Sequence, residues 1–188
     1  MLRVTADRDP ARRRAAGAAD LARSGQRDAR IEIVEYDASW PGRFSREAVR
    51  VARATGLELH HIGSTAVPGL AAKPIIDMMA LVDDLDAPLR RLTDRAGYQL
   101  PVAYNATLTA RRWLCRPSAS RRTHHLHLVA DPDELARHLG FRDVLRRDAT
   151  LAREYADLKR DLALRMPDDR EGFTAAKTAF VQRACRSA

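Results

Sequence analysis

Lysine is nearly missing from this strongly basic chain. Of 33 basic residues in 188, only Lys73, Lys159 and Lys177 are lysines; every other cation is arginine. Against 25 acidic residues this leaves a formal charge of +8. Such a field favours anionic ligands but does not separate a nucleotide from a nucleic acid. Cysteine is equally scarce. Cys115 and Cys185 lack metal-ligand spacing and make no disulfide framework, so a reducing cytoplasm is the compartment expected. No apolar run approaches a membrane span, and the Arg-rich start lacks the apolar stretch of a secretory signal. Asp7, Asp9, Asp20 and Asp28 argue against a transit peptide.

The length suits one domain with a full core and is short for two. Residues 1–30 hold eight arginines against four aspartates, with no sustained apolar face, and read as a flexible basic extension. The domain is expected over 31–188. It opens with a short alternating strand at 31–34. A helix follows on Trp40, Phe44, Ala48 and Ala52 and ends at Gly56. Strands are predicted at 57–62 and 75–82, separated by a Pro- and Gly-punctuated loop that cannot be a continuous helix. A helix over 87–96 closes at Gly97; weak strands follow at 98–102 and 112–115, and a firmer one at 124–129. From Asp133 onward the pattern is helical, with Leu151, Tyr155, Leu158 and Leu162 on one face, then a last helix carrying Phe173, Phe180 and Ala184. Mixed strands followed by helices predict an α+β domain with a small mixed sheet, flanking helices and a helical C-terminal part. No internal repeat is evident.

Chemistry concentrates in three places. Gly63-Ser64 ends one apolar run: glycine lets a backbone approach a ligand, and serine adds a hydroxyl and an N–H. The same pair makes an ordinary turn. Thirteen residues on, Asp77 sits inside the apolar run Ile75-Ile-Asp-Met-Met-Ala-Leu-Val. A buried carboxylate is costly unless it is paired or ligates a metal. Position 79 shares its face but is Met. Lys73 lies in the intervening loop and suits a phosphate as a point charge, or solvent. In the second place, Thr123-His124-His125-Leu126-His127, a strand turns His125 and His127 to one face. Those two imidazoles make a metal edge, an anion contact or a hydrogen-bonded core pair. Arg121 and Arg122 beside them clamp an anion or lie exposed. In the third, His138, Arg142 and Arg146 form one helical stripe near Asp143, as a solvated face also would. Lys159 and Lys177, taken singly, read as surface.

With these residues in hand the chain resembles the GrpB family, a branch of the nucleotidyltransferase-fold superfamily. The resemblance runs from about Ile31 to the C-terminus. It rests on Tyr36-Asp-Ala-Ser-Trp40, on His61-Ile-Gly-Ser-Thr-Ala-Val-Pro-Gly-Leu-Ala-Ala-Lys-Pro with its following Asp77, and on His125-Leu-His127. Phe141-Arg-Asp-Val-Leu-Arg146, Tyr155-Ala-Asp-Leu-Lys159 and Ala176-Lys177 extend it. It implies a minimal nucleotidyltransferase fold with Gly63, Ser64, Thr65 and Lys73 around the phosphates of ATP or another NTP, and Arg142 and Arg146 facing the acceptor. Active members of that superfamily hold two Mg²⁺ on three acids. Asp77 matches the first acid, Met79 replaces the second, and His125 and His127 stand where the third is expected. The implied catalytic and metal set is therefore Asp77, His125 and His127, with Mg²⁺ or Mn²⁺.

Three readings follow. The first is a nucleotidyltransferase joining an NTP to an unidentified small-molecule acceptor. The second is a non-catalytic nucleotide- or anion-binding accessory domain; GrpB-like domains also occur fused to dephospho-coenzyme A kinase. In the third, the basic arm binds nucleic acid, which the shortage of aromatics argues against. No membrane partner is expected, and oligomeric state is open.

Overall fold

In the computed structural model, which describes residues 30–186, a helix starts at Trp40 once the turn before it is tied. The Asp37 carboxylate accepts the Ser39 N–H at 2.7 Å, and proline occupies the first turn, where its missing N–H costs nothing. This helix, α1 (Trp40–Thr55), ends where Gly56 turns left-handed at φ 79°. Its inward stripe is Trp40, Phe44, Glu47, Val51 and Ala54, and Ala52 is exposed. Steps of four and three residues follow the 3.6-residue period, whereas the expected strict four-residue stripe drifts off the core.

A four-stranded mixed sheet follows, in the order β1-β2-β4-β3. Strand β1 (His60–Ile62) runs antiparallel to β2 (Ile76–Leu81). Strand β2 is parallel to β4 (Arg122–Val129), which is antiparallel to β3 (Arg111–Pro117). The period of two sorts the side chains. Ile76, Met78, Ala80, Leu114, Leu126 and Leu128 pack on one face with Trp40, Val51 and Leu92, under α1 and the short helix α2 (Leu89–Asp94). On the other face Asp77 lies opposite His125, and Met79 opposite His127. A one-turn helix, α3 (Val102–Asn105), covers the β3 edge, where Tyr104 packs on Trp113.

The C-terminal part is helical, as expected: α4 (Pro132–Arg147), α5 (Ala149–Arg165), α6 (Arg170–Ala176) and α7 (Thr178–Arg186). Asp131, Asp148 and Asp169 cap the first three by accepting backbone N–H groups. Val67, Leu70 and Ala71 of the loop before β2 pack on Leu145, Tyr155, Ala156 and Phe180, which seats that loop on the helices.

The α+β architecture is the one expected, with four local differences. Residues 31–34 contribute only a bridge between Val34 and Ala72, because Ile31 is taken into the helical cluster of Leu162 and Phe173. The strand expected over 57–62 shortens to its last three residues. The strand expected over 98–102 is a single bridge from Gln99 to Cys115; Pro101, lacking a donor, starts α3 instead. The last expected helix is two, joined at Lys177. The basic extension falls outside the described residues except for Arg30. Among the described residues no helix is long and apolar enough to cross a membrane.

Candidate metal and anion site

Gly63 follows β1 at φ 73°, a left-handed conformation, and starts the 3-10 turn Ser64–Ala66. A Cβ on Gly63 would lie 2.9 Å from Asp77 Oδ2, so the glycine lets the turn close directly over the carboxylate. Asp77 in turn faces β4: Nδ1 of His125 lies 2.9 Å from its Oδ1, as a ring N–H donating to the carboxylate. Burial alone would raise the Asp77 pKa; the His125 hydrogen bond, with the imidazoles and Lys73 nearby, outweighs it and lowers it to about 2. Burial lowers His127 to about 3, which keeps it neutral.

Asp77, His125 and His127 each offer one ligand atom, and these atoms lie within 4.8 Å of one another. Bonds of about 2.0–2.2 Å set opposite ligands about 4.0–4.4 Å apart and tetrahedral ones about 3.3–3.6 Å, so the three side chains would draw together to close on one ion. Nε2 of His125 and Nδ1 of His127 are buried without a hydrogen-bond partner, an unmet demand that a cation would answer. The residues thus fit one divalent ion. They do not fit a pair. Met79, fully buried, packs with Ile62, Val129, Leu135 and Leu139, and so fills the second acid's place with hydrocarbon. Two imidazoles with one carboxylate suit Mn²⁺ or a later transition ion better than Mg²⁺, which favours an all-oxygen shell.

The other expected site residues separate by role. Ser64 is half-buried beside the Tyr155 hydroxyl. Thr65 is buried, meets His61 Nε2 at 3.0 Å and donates to the Ile75 carbonyl, so its side chain braces the turn. Arg142 donates to the His61 carbonyl at 3.0 Å and to both oxygens of Asp143. Arg146 donates twice to the Ala66 carbonyl, at 2.9 and 2.7 Å. The arginine stripe of α4 therefore holds both ends of the 61–66 turn. His138, on the same stripe, lies within electrostatic reach of His127 and Asp77.

Lys159 departs furthest from expectation. It is 3% exposed on α5, not a surface cation, and its ammonium donates to Ser64 Oγ at 3.0 Å and to the Ala71 carbonyl. Lys177 and Lys73 lie over the same Phe173 ring, at 4.4 and 5.0 Å. Helical spacing carried a trace of this, since Lys159 falls in the Tyr155–Leu162 stripe, and so did the scarcity of lysine itself.

A model of the GrpB family, described as GrpB protein, matches residues 30–187. The chain belongs to the GrpB family. The UPF0157 protein PA4798 of Pseudomonas aeruginosa is 41% identical over 164 residues, covering 83% of this chain and 66% of that protein. The crystal structure of conserved protein GrpB from Enterococcus faecalis has a similar fold, with a TM-score of 0.72 and 34% identity over 83% of this chain and 96% of that one. A dephospho-CoA kinase of Mycolicibacterium paratuberculosis is 28% identical over 170 residues, 82% of this chain but 40% of the kinase. The GrpB chain thus spans just under two thirds of the Pseudomonas relative and less than half of the kinase.

Proposed function

We propose that this GrpB-family chain binds ATP or another NTP at the Gly63-Ser64 turn and transfers its nucleotidyl group to a small-molecule acceptor. One observation carries the reading: a Gly-Ser turn, entered through a positive-φ glycine, lies directly on a carboxylate that shares a metal-ligand cluster with two imidazoles. In the transfer, the acceptor's nucleophilic atom bonds to the α-phosphorus and releases its proton to solvent as the bond to the leaving pyrophosphate breaks. Asp77, His125 and His127 would hold one divalent ion, Mn²⁺ or Mg²⁺, which would polarise a phosphate oxygen and offset its charge. Ser64 presents a hydroxyl to the phosphates. Arg142 and Arg146 keep the turn in shape through its carbonyls, and so act on the nucleotide by positioning.

A second reading, a nucleotide-binding accessory domain without turnover, draws on Met79 and on the similarity to part of a dephospho-CoA kinase. One experiment separates them: NTP consumption with Mn²⁺ or Mg²⁺, measured for the wild type and Asp77→Asn. Transfer predicts metal-dependent turnover that falls at least about 100-fold in the variant, more than loss of an outer-shell partner costs. ATP that raises the melting temperature without being consumed would leave only the accessory domain.

A further inference from the structure

Thirty of the chain's 33 cations are arginines, and the three lysines, from distant parts of the sequence, lie within electrostatic reach of one another. Lys159 is buried with only neutral partners: Ser64 Oγ, the Ala71 carbonyl and the Tyr155 ring, 4.8 Å from its ammonium. Lys177 and Lys73 share the Phe173 ring. Among the described residues neither Lys159 nor Lys177 has a carboxylate within ion-pairing distance. Asp77, the carboxylate that bears on Lys177, is already bonded to His125. Burial and mutual repulsion accordingly pull Lys159 down to about 7 and Lys177 to about 8. A protein that buries a cation against other cations, beside a serine and a glycine turn, stores a cost that an anion relieves. Lysine suits this role because its compact ammonium makes three free-angled bonds, where arginine's planar fork needs a matched plane.

We propose that Lys159, Lys177 and Lys73, with Ser64, form a subsite for a polyanionic phosphate chain, the di- or triphosphate tail of the ligand. The proposal deepens the nucleotide reading and rests on it for the ligand's identity, but polyphosphate binding itself requires neither metal nor transfer. Cations spread over two rings, Lys159 at Tyr155 and Lys73 and Lys177 at Phe173, suit a chain of two or three phosphates better than a single phosphate or a carboxylate.

The test uses inorganic triphosphate without divalent ions, titrated calorimetrically and by melting temperature against the full chain and Lys159→Met. The wild type should bind and be stabilised. Lys159→Met should melt at or above the unliganded wild type, since an unpaired buried cation has gone, yet lose at least about tenfold in triphosphate affinity. A variant that melts lower and binds triphosphate unchanged would make Lys159 a brace of the 64–71 loop and overturn the proposal, as would a wild type that does not bind. Should Lys159→Met fail to fold, Lys177→Met, at a half-buried position, decides the matter by affinity alone: about tenfold loss supports the subsite, and no change removes it. Lysine-dependent binding without NTP turnover would keep the subsite and discard transfer; turnover lost in Asp77→Asn, with triphosphate binding indifferent to the lysines, would do the reverse.

Discussion

At the scale of single residues, Gly63 decides whether the site can exist. Its φ of 73° disfavours any Cβ, and the Cβ it lacks would meet Asp77 Oδ2 at 2.9 Å and the Asp77 Cβ at 3.3 Å. Asp77 has little room to yield, because His125 holds its other oxygen. Gly63→Ala should therefore cost about 1–3 kcal/mol of stability and displace the carboxylate from the imidazoles. Urea unfolding together with a Mn²⁺ titration checks both; unchanged metal affinity would show that the close approach is incidental. This part of the site was legible in the sequence, since Gly63, Ser64 and Asp77 lie on one short segment and the two histidines on one strand. The partners of Arg142 and Arg146 beyond neighbouring Asp143 were not. They are backbone carbonyls about eighty residues away, and a carbonyl leaves no mark in a side-chain pattern.

At the scale of elements, one buried acid ties α1 to the sheet on the face away from the site. Glu47, 5% exposed, accepts from Arg50, from the Tyr98 hydroxyl at 2.7 Å and from Arg116 of β3 at 2.7 Å. Burial would raise its pKa, but these donors and the two guanidinium charges hold it below the usual carboxylate range. Glu47→Ala would strand two arginines and a phenol, and a loss of about 3–5 kcal/mol is expected. Denaturant melts measure it, and a loss below 1 kcal/mol would reduce the network to surface pairing. The core faces of β2, β4 and α5 were readable because each rests on local periodicity. Residues 31–34 and 98–102 were not, because an alternating run shows neither that a helical cluster will claim Ile31 nor that the chain will turn into α3 at Pro101. Glu47 was missed for a related reason: a charge in an apolar stripe reads as a gap until its partners arrive from β3 and from beyond α2.

At the scale of the whole molecule, the lysine cluster sets a pH dependence that the acids and histidines do not share. Asp77, lowered to about 2, contributes stability above its ordinary value of 3.8 and loses it only below that. His61 and His124, each lowered chiefly by burial to about 4, cost stability as pH falls from 6.5 towards 4. Lys159 acts higher. Its ordinary pKa is 10.5 and its folded value about 7, so between these the unfolded chain holds a proton that the native state has released. Stability must then rise with pH across that window and flatten below about 7, where both states are protonated. Lys177 adds in the same direction. The unliganded wild type is thus expected to melt at increasing temperature from about pH 7 to 10, and Lys159→Met to show a much shallower rise; superimposable profiles would refute this. A bound polyphosphate reverses the preference, because it favours the charged ammonium. Triphosphate binding should therefore take up protons and weaken as pH climbs past about 8, and titration in buffers of different ionisation enthalpy would count those protons directly.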